Sequence, residues 1–118
     1  MAFKFETLKV WQISPGICDE ICVVSEKFPK QELFFLSAQI RCAAISVSLN
    51  IVEGSAGLSN TEFRRFPAIA NRSALEVIGC LFLAKRRQYI NSDKFAELYG
   101  KIERPTKMIQ SLINSSKD

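Results

Sequence analysis

Apolar residues recur at intervals of three and four along almost the whole chain, which is the spacing of one helical face. Val10, Ile13, Ile17, Ile21, Val24 and Phe28 make the first row, and Phe28-Pro29 breaks it. Leu33, Leu36, Ile40, Ala43, Val47 and Ile51 make the second. The third holds Phe63, Phe66, Ala70, Ser73, Val77, Cys80 and Ala84, and Ile69, Glu76 and Leu83 widen it. Phe95, Leu98, Ile102, Ile109 and Leu112 make the fourth. These rows predict helices over about 8–27, 32–53, 60–89 and 93–114, within one domain covering residues 1–118. Short connections make successive helices antiparallel neighbours. The predicted fold is therefore all-α, an antiparallel up-down four-helix bundle.

Breakers and caps refine these limits. Thr7 is the expected N-cap of the first helix, and Pro15 either kinks it or restarts it behind Ser14. The second helix is expected to begin at Gln31 or Glu32 and to close at Gly54 in a left-handed cap. Ser59-Asn-Thr-Glu62 has the form of a capping box for the third helix. Pro67 should remove one hydrogen bond from that helix and bend it, and Pro105 falls within the fourth stripe. Asn91-Ser92 starts the fourth helix, and the last residues should fray.

The segment from Gln39 to Gly54 is the most specific about architecture. Arg41, Ser46, Asn50 and Glu53 interrupt an apolar run, and an unpaired buried polar group costs about 1–3 kcal/mol. Asn50 with Glu53, and Ser73 with Glu76, stand one helical turn apart. Together with Arg41 they are read as a structural polar lock in the core or between subunits.

Composition supplies the apolar material for a core: 47% of 118 residues are hydrophobic, with nine Phe. Trp11, Phe34, Phe35 and Phe82 fall off the main seams, so a lone bundle would expose them. Contiguous apolar surface of this kind marks an interface, and self-association is the simplest one. No uninterrupted apolar run is long enough for a membrane span, and the N-terminus lacks a signal-peptide pattern, which leads to the expectation of a cytoplasmic protein.

Four cysteines, Cys18, Cys22, Cys42 and Cys80, sit in apolar stretches without a C-x-x-C pair, as expected of free buried thiols. Cys18 and Cys22 share a helix face, which leaves a zinc site with the other two as a second reading. Histidine is absent, and with it the commonest general base. No nucleophile, base and orienter assemble, and no glycine-rich phosphate loop exists. The expectation is a protein that is not an enzyme and has neither metal nor cofactor. A metal enzyme built on Glu53 and Glu76 is the remaining catalytic alternative.

Charge adds a candidate activity. Sixteen Lys and Arg against twelve Asp and Glu give +4, which suits an acidic partner and equally suits an ordinary charged surface. Arg64, Arg65, Arg72, Lys85, Arg86 and Arg87 all lie on the third helix, with Arg65, Arg72 and Arg86 along one line. Such a stripe, repeated in an oligomer, can hold phosphate backbones without reading sequence; the bland alternative is a solvated outer face.

Several blocks carry a family resemblance. F-E-T-L-K-V-W-Q (Phe5 to Gln12), F-P-K (Phe28 to Lys30), the Leu36–Arg41 block and S-V-S-L-N-I-V-E-G (Ser46 to Gly54) come first. Glu62–Phe66, S-A-L-E (Ser73 to Glu76) and Leu83–Ile90 follow in order. Together they resemble the bacterial four-helix-bundle proteins encoded in intervening sequences of 23S ribosomal RNA genes. Cys42 departs from the Arg that the family usually places after Arg41. The resemblance implies a closed homopentamer. It also implies kinship with the accessory variability determinant of diversity-generating retroelements, a basic pentamer that binds nucleic acid and a reverse transcriptase. The expected partners are copies of the chain and RNA or DNA; a protein partner without nucleic acid is the alternative, and no membrane is expected.

Overall fold

The computed structural model describes residues 2–57 and 64–115. Four helices, α1 (Lys9–Glu26), α2 (Leu36–Ser55), α3 (Arg65–Arg86) and α4 (Ser92–Ser115), form a bundle measuring 45 × 23 × 22 Å. Each packs on its neighbour in sequence, and α1 closes the ring against α4. The core runs along the bundle axis through Val10, Ile21, Ile40, Val47, Val77, Leu81, Leu98, Ile102 and Ile109, all nearly free of solvent. The all-α up-down bundle read from the periodicity is the observed architecture.

The helix limits differ from expectation where local polar chemistry takes over. Thr7 caps no helix; its hydroxyl donates to the Lys4 carbonyl (2.8 Å) and closes a separate 3-10 turn over Lys4–Thr7. Leu8 precedes α1 instead. Pro15 neither ends nor restarts α1, which runs through it without interruption. The start of α2 is displaced to Leu36. Lys30–Glu32 forms a 3-10 turn, Phe35 has left helical geometry (φ −120°, ψ −103°), and the Glu32 carboxylate accepts from the first α2 amide, Leu36 N, at 3.5 Å. Leu33 is consequently exposed and not part of the second stripe.

Gly54 has no left-handed conformation; it lies inside α2, which continues to Ser55. Its small size serves a close approach. A Cβ at Gly54 would stand 2.8 Å from Cδ of Pro67 and 3.3 Å from Cβ of Phe66, both on α3. Pro67 itself is the third residue of α3, where backbone amides lack intrahelical partners in any case. It costs the helix no hydrogen bond there, so the expected bend from a lost bond has no cause. The capping box at Ser59–Glu62 and Phe63 lie outside the described residues.

The α3 core row is Ala70, Ala74, Val77, Leu81 and Ala84, joined by Cys80. Ala74 and Leu81 widen the face, whereas Glu76 and Leu83, expected to do so, are exposed. Alanines at three of these positions let neighbouring backbones come close. By length and mean hydropathy (1.3 over its most apolar window) α3 is long and apolar enough to cross a membrane, and 39% of that window is buried inside the bundle. Its C-terminus folds back in a tight cap: Tyr89 N–H donates to Ala84 O (2.8 Å) and Gln88 N–H to Lys85 O (3.0 Å). That motif needs a left-handed residue, and Gln88 supplies it at φ 64°. Asn91 caps α4 by accepting from Lys94 N–H at 2.7 Å.

Candidate nucleic-acid interface

The surface of α3 is built by helical rotation. Positions 65, 72, 79 and 86 drift slowly around the outer face, so Arg65, Arg72 and Arg86 stay exposed with Gly79 between them. At 1.5 Å per residue, Arg65 and Arg86 are about 32 Å apart. The intervening surface is mostly apolar, with one exposed carboxylate, Glu76: Leu75 (68% exposed) and Phe82 (53%) flank Gly79, where an added Cβ would meet nothing within 4 Å. The six cations therefore form two groups, one at each end of α3. The continuous stripe expected from the sequence is interrupted by an apolar middle.

Several of these cations already have protein partners. The Arg65 guanidinium sits 4.8 Å from the Phe66 ring centroid, and Lys85 Nζ 4.7 Å from that of Phe95. Arg87 pairs with Glu32 at 3.0 Å. Arg72 and Arg86 are exposed, and Arg64 is half-buried. Stacked cations keep donors for a phosphate, because a ring face occupies none of the N–H groups.

Glu32 is the centre of the best-connected polar group. It accepts from the Tyr89 hydroxyl (2.8 Å) and from Arg87, and it ties the Lys30–Glu32 turn to the end of α3. The Tyr89 hydrogen bond, aided by the Leu36 amide and the Arg87 charge, holds its carboxyl below the usual range. The same bond raises Tyr89. Nothing in the sequence announces a pair separated by 55 residues.

The polar lock is placed differently from its expected pairing. Asn50 donates to the Ser46 carbonyl (2.8 Å) and hydroxyl (3.1 Å), and Ser46 bonds Ser73 across the α2–α3 seam at 2.8 Å. Gln39, not Ser73, is the partner of Glu76. Arg41 reaches back to the Ser25 hydroxyl on α1 (3.4 Å), while Glu53 is exposed at the far end of α2. Glu53 lies fourteen residues beyond Gln39, about 21 Å along the helix, so Glu53 and Glu76 cannot share a metal ion. Among the described residues no three His, Cys, Asp or Glu side chains converge on a metal position, which removes the four-cysteine zinc reading. Burial pushes the Cys18 thiol up to about 11, with Cys22 adding to it, and raises Cys80 as well. Both are poor thiolates.

The buried Ser14–Ser48 pair (2.6 Å) between α1 and α2 escaped the reading of the sequence. Its signal is a serine inside each apolar stripe, Ser14 between Val10 and Ile17 and Ser48 between Ala44 and Ile51.

Comparison with known proteins agrees with this architecture. The chain is similar to a protein of unknown function from the S23 ribosomal protein family of Bacteroides thetaiotaomicron, at 25% identity and a TM-score of 0.80. The match covers 88% of this chain and 97% of that one. No curated protein matches. The family model described as 23S rRNA-intervening sequence protein matches residues 6–111. The chain belongs to the family of 23S rRNA-intervening sequence proteins.

Proposed function

We propose that this protein is a non-enzymatic homo-oligomeric bundle, a pentamer, that binds RNA or DNA in the cytoplasm through phosphate contacts. The observation that carries the reading is the division of α3's outer face: cations at both ends and a mostly apolar, largely exposed middle. A second uncovered apolar strip lies on α2, where Cys42, Ile45 and Leu49 are exposed. Two different strips on one protomer suit head-to-tail contact, each copy setting one strip against the other strip of its neighbour, and such contacts form a ring where the rotation between copies closes. A ring then repeats the cationic ends of α3 and turns two small groups into an extended basic surface.

Binding of this kind releases counterions, so affinity falls steeply and log-linearly with salt. Fluorescence anisotropy with labelled RNA and DNA at several salt concentrations tests it. An affinity no higher than that of an equally basic control protein contradicts it. A second reading, a protein-interaction scaffold without nucleic acid, draws on the engagement of Arg65, Lys85 and Arg87 by Phe66, Phe95 and Glu32. A protein partner that stays bound after nuclease treatment favours that alternative.

A further inference from the structure

At the upper end of the bundle, the loop entering α2 and the last turns of α3 border a shallow, widely open hollow of about 570 Å³. Phe34 and Phe35 form its rim and are 83% and 71% exposed, the two most exposed large apolar residues among those described. Leu83 contributes to the floor, and Gln39, Glu32 and Arg87 bring an amide, a carboxylate and a guanidinium to the same space. We infer that this hollow takes unpaired nucleobases, and hence that the nucleic acid bound is single-stranded; the inference rests on the nucleic-acid reading above.

The chemistry is that of a planar heteroaromatic ligand. Exposed phenylalanine rings offer π-faces for stacking, which any base satisfies, and a guanidinium offers a second planar surface. The Gln39 amide donates to Glu76 and keeps its carbonyl oxygen as an acceptor for a base edge. Arg87 spends one N–H on Glu32 and retains others. Lys30 and Arg86, both exposed at this end of the bundle, supply cations for the adjoining phosphates.

A second protein copy suits this hollow poorly. Covering it would take the Glu32–Arg87 pair out of water at a desolvation cost, whereas a base leaves the edges of the hollow wet. The strips on α2 (Ile45, Leu49) and α3 (Leu75, Gly79) are apolar and suit subunit contact better. Bases in a duplex are already paired and stacked and cannot enter, so single strands are selected.

Anisotropy with fluorescein-labelled 12-nucleotide oligouridylate and oligothymidylate, beside a 12-base-pair duplex, tests the assignment. The wild type should bind a single strand more tightly than the duplex, and the tighter of the two homopolymers names the sugar. Phe34→Ala should weaken single-strand binding roughly fivefold or more while duplex binding holds. Phe34→Trp should gain indole fluorescence that oligouridylate quenches beyond any quenching in the wild type. Phe34 is exposed, so neither variant should change the circular dichroism spectrum. Unchanged binding by Phe34→Ala, with nucleic acid still bound, overturns this inference and leaves the proposed function standing. Failure of the wild type to bind any strand overturns both. A fall in the light-scattering mass of Phe34→Ala assigns the hollow to a subunit contact and overturns the inference alone.

Discussion

Gln88 and Glu32 show how single residues fix the upper end of the bundle. Gln88 holds a left-handed φ of 64° at the α3 cap, a conformation that costs a non-glycine residue about 1–2 kcal/mol. Gln88→Gly removes that cost and returns part of it as unfolded-state entropy, so urea denaturation should find the variant about 0.5–1 kcal/mol more stable. Glu32 gives a pH dependence of known sign. Its folded-state carboxyl is held below the usual value, chiefly by the Tyr89 hydroxyl, so its contribution is present above the unfolded value of 4.5 and is lost as pH falls through the folded one. Tyr89 is raised above 10.0, so its share is present below that pH and is lost as pH rises through the folded value. Melting temperature against pH should therefore fall at both ends, with a shallower acid limb in Glu32→Gln and a shallower alkaline limb in Tyr89→Phe. Limbs identical to those of the wild type in both variants contradict this account. None of this was legible in the sequence, because Glu32 meets Arg87 and Tyr89 only after α2 and α3 have brought distant segments together.

Elements were far more legible than their ends. A stripe with intervals of three and four must bury itself on something, so the four helices and their antiparallel order follow from residues such as Ile21, Ile40, Val77 and Ile102. Helix ends depend on which polar group satisfies the first amides, and there the Glu32 carboxylate moved the start of α2 to Leu36. Gly54 was read as a cap because glycine commonly ends helices; its actual constraint, Pro67 at 2.8 Å, belongs to another element. Of the candidate cations, Arg65, Arg72, Lys85 and Arg86 lie exposed on α3, while Arg64 and Arg87 flank its ends and Arg64 is half-buried. Within the gap between them the exposure of Phe82 follows from its place off the seam, whereas that of Leu75 depends on the rotation of the finished helix. Prolines separate by position in the same way. Pro15, inside α1, forfeits a hydrogen bond to the Trp11 carbonyl, and Pro15→Ala should stabilise the protein by about 1–3 kcal/mol. Pro67, in the first turn of α3 and buried against Gly54, forfeits none; Pro67→Ala should lose packing and destabilise by about 1 kcal/mol. Chemical denaturation of the two variants gives opposite signs if the positions are described correctly.

The whole molecule leaves more apolar surface open than one copy can cover. Leu49 on α2 and Leu75 on α3 are 57% and 68% exposed. The head-to-tail association proposed above would cover both and bring the cationic ends of neighbouring α3 helices onto one assembly. If the proposed function holds, nucleic-acid binding depends on the ring: a variant that cannot assemble should bind far more weakly while keeping its fold. Leu49→Arg places a charge on one strip without touching the core. Light scattering on the purified protein tests the central claim most directly. The account predicts a mass five times that of the 13.3 kDa chain for the wild type, and a single chain with unchanged helical content for Leu49→Arg. A wild type that is monomeric at tens of micromolar would contradict it.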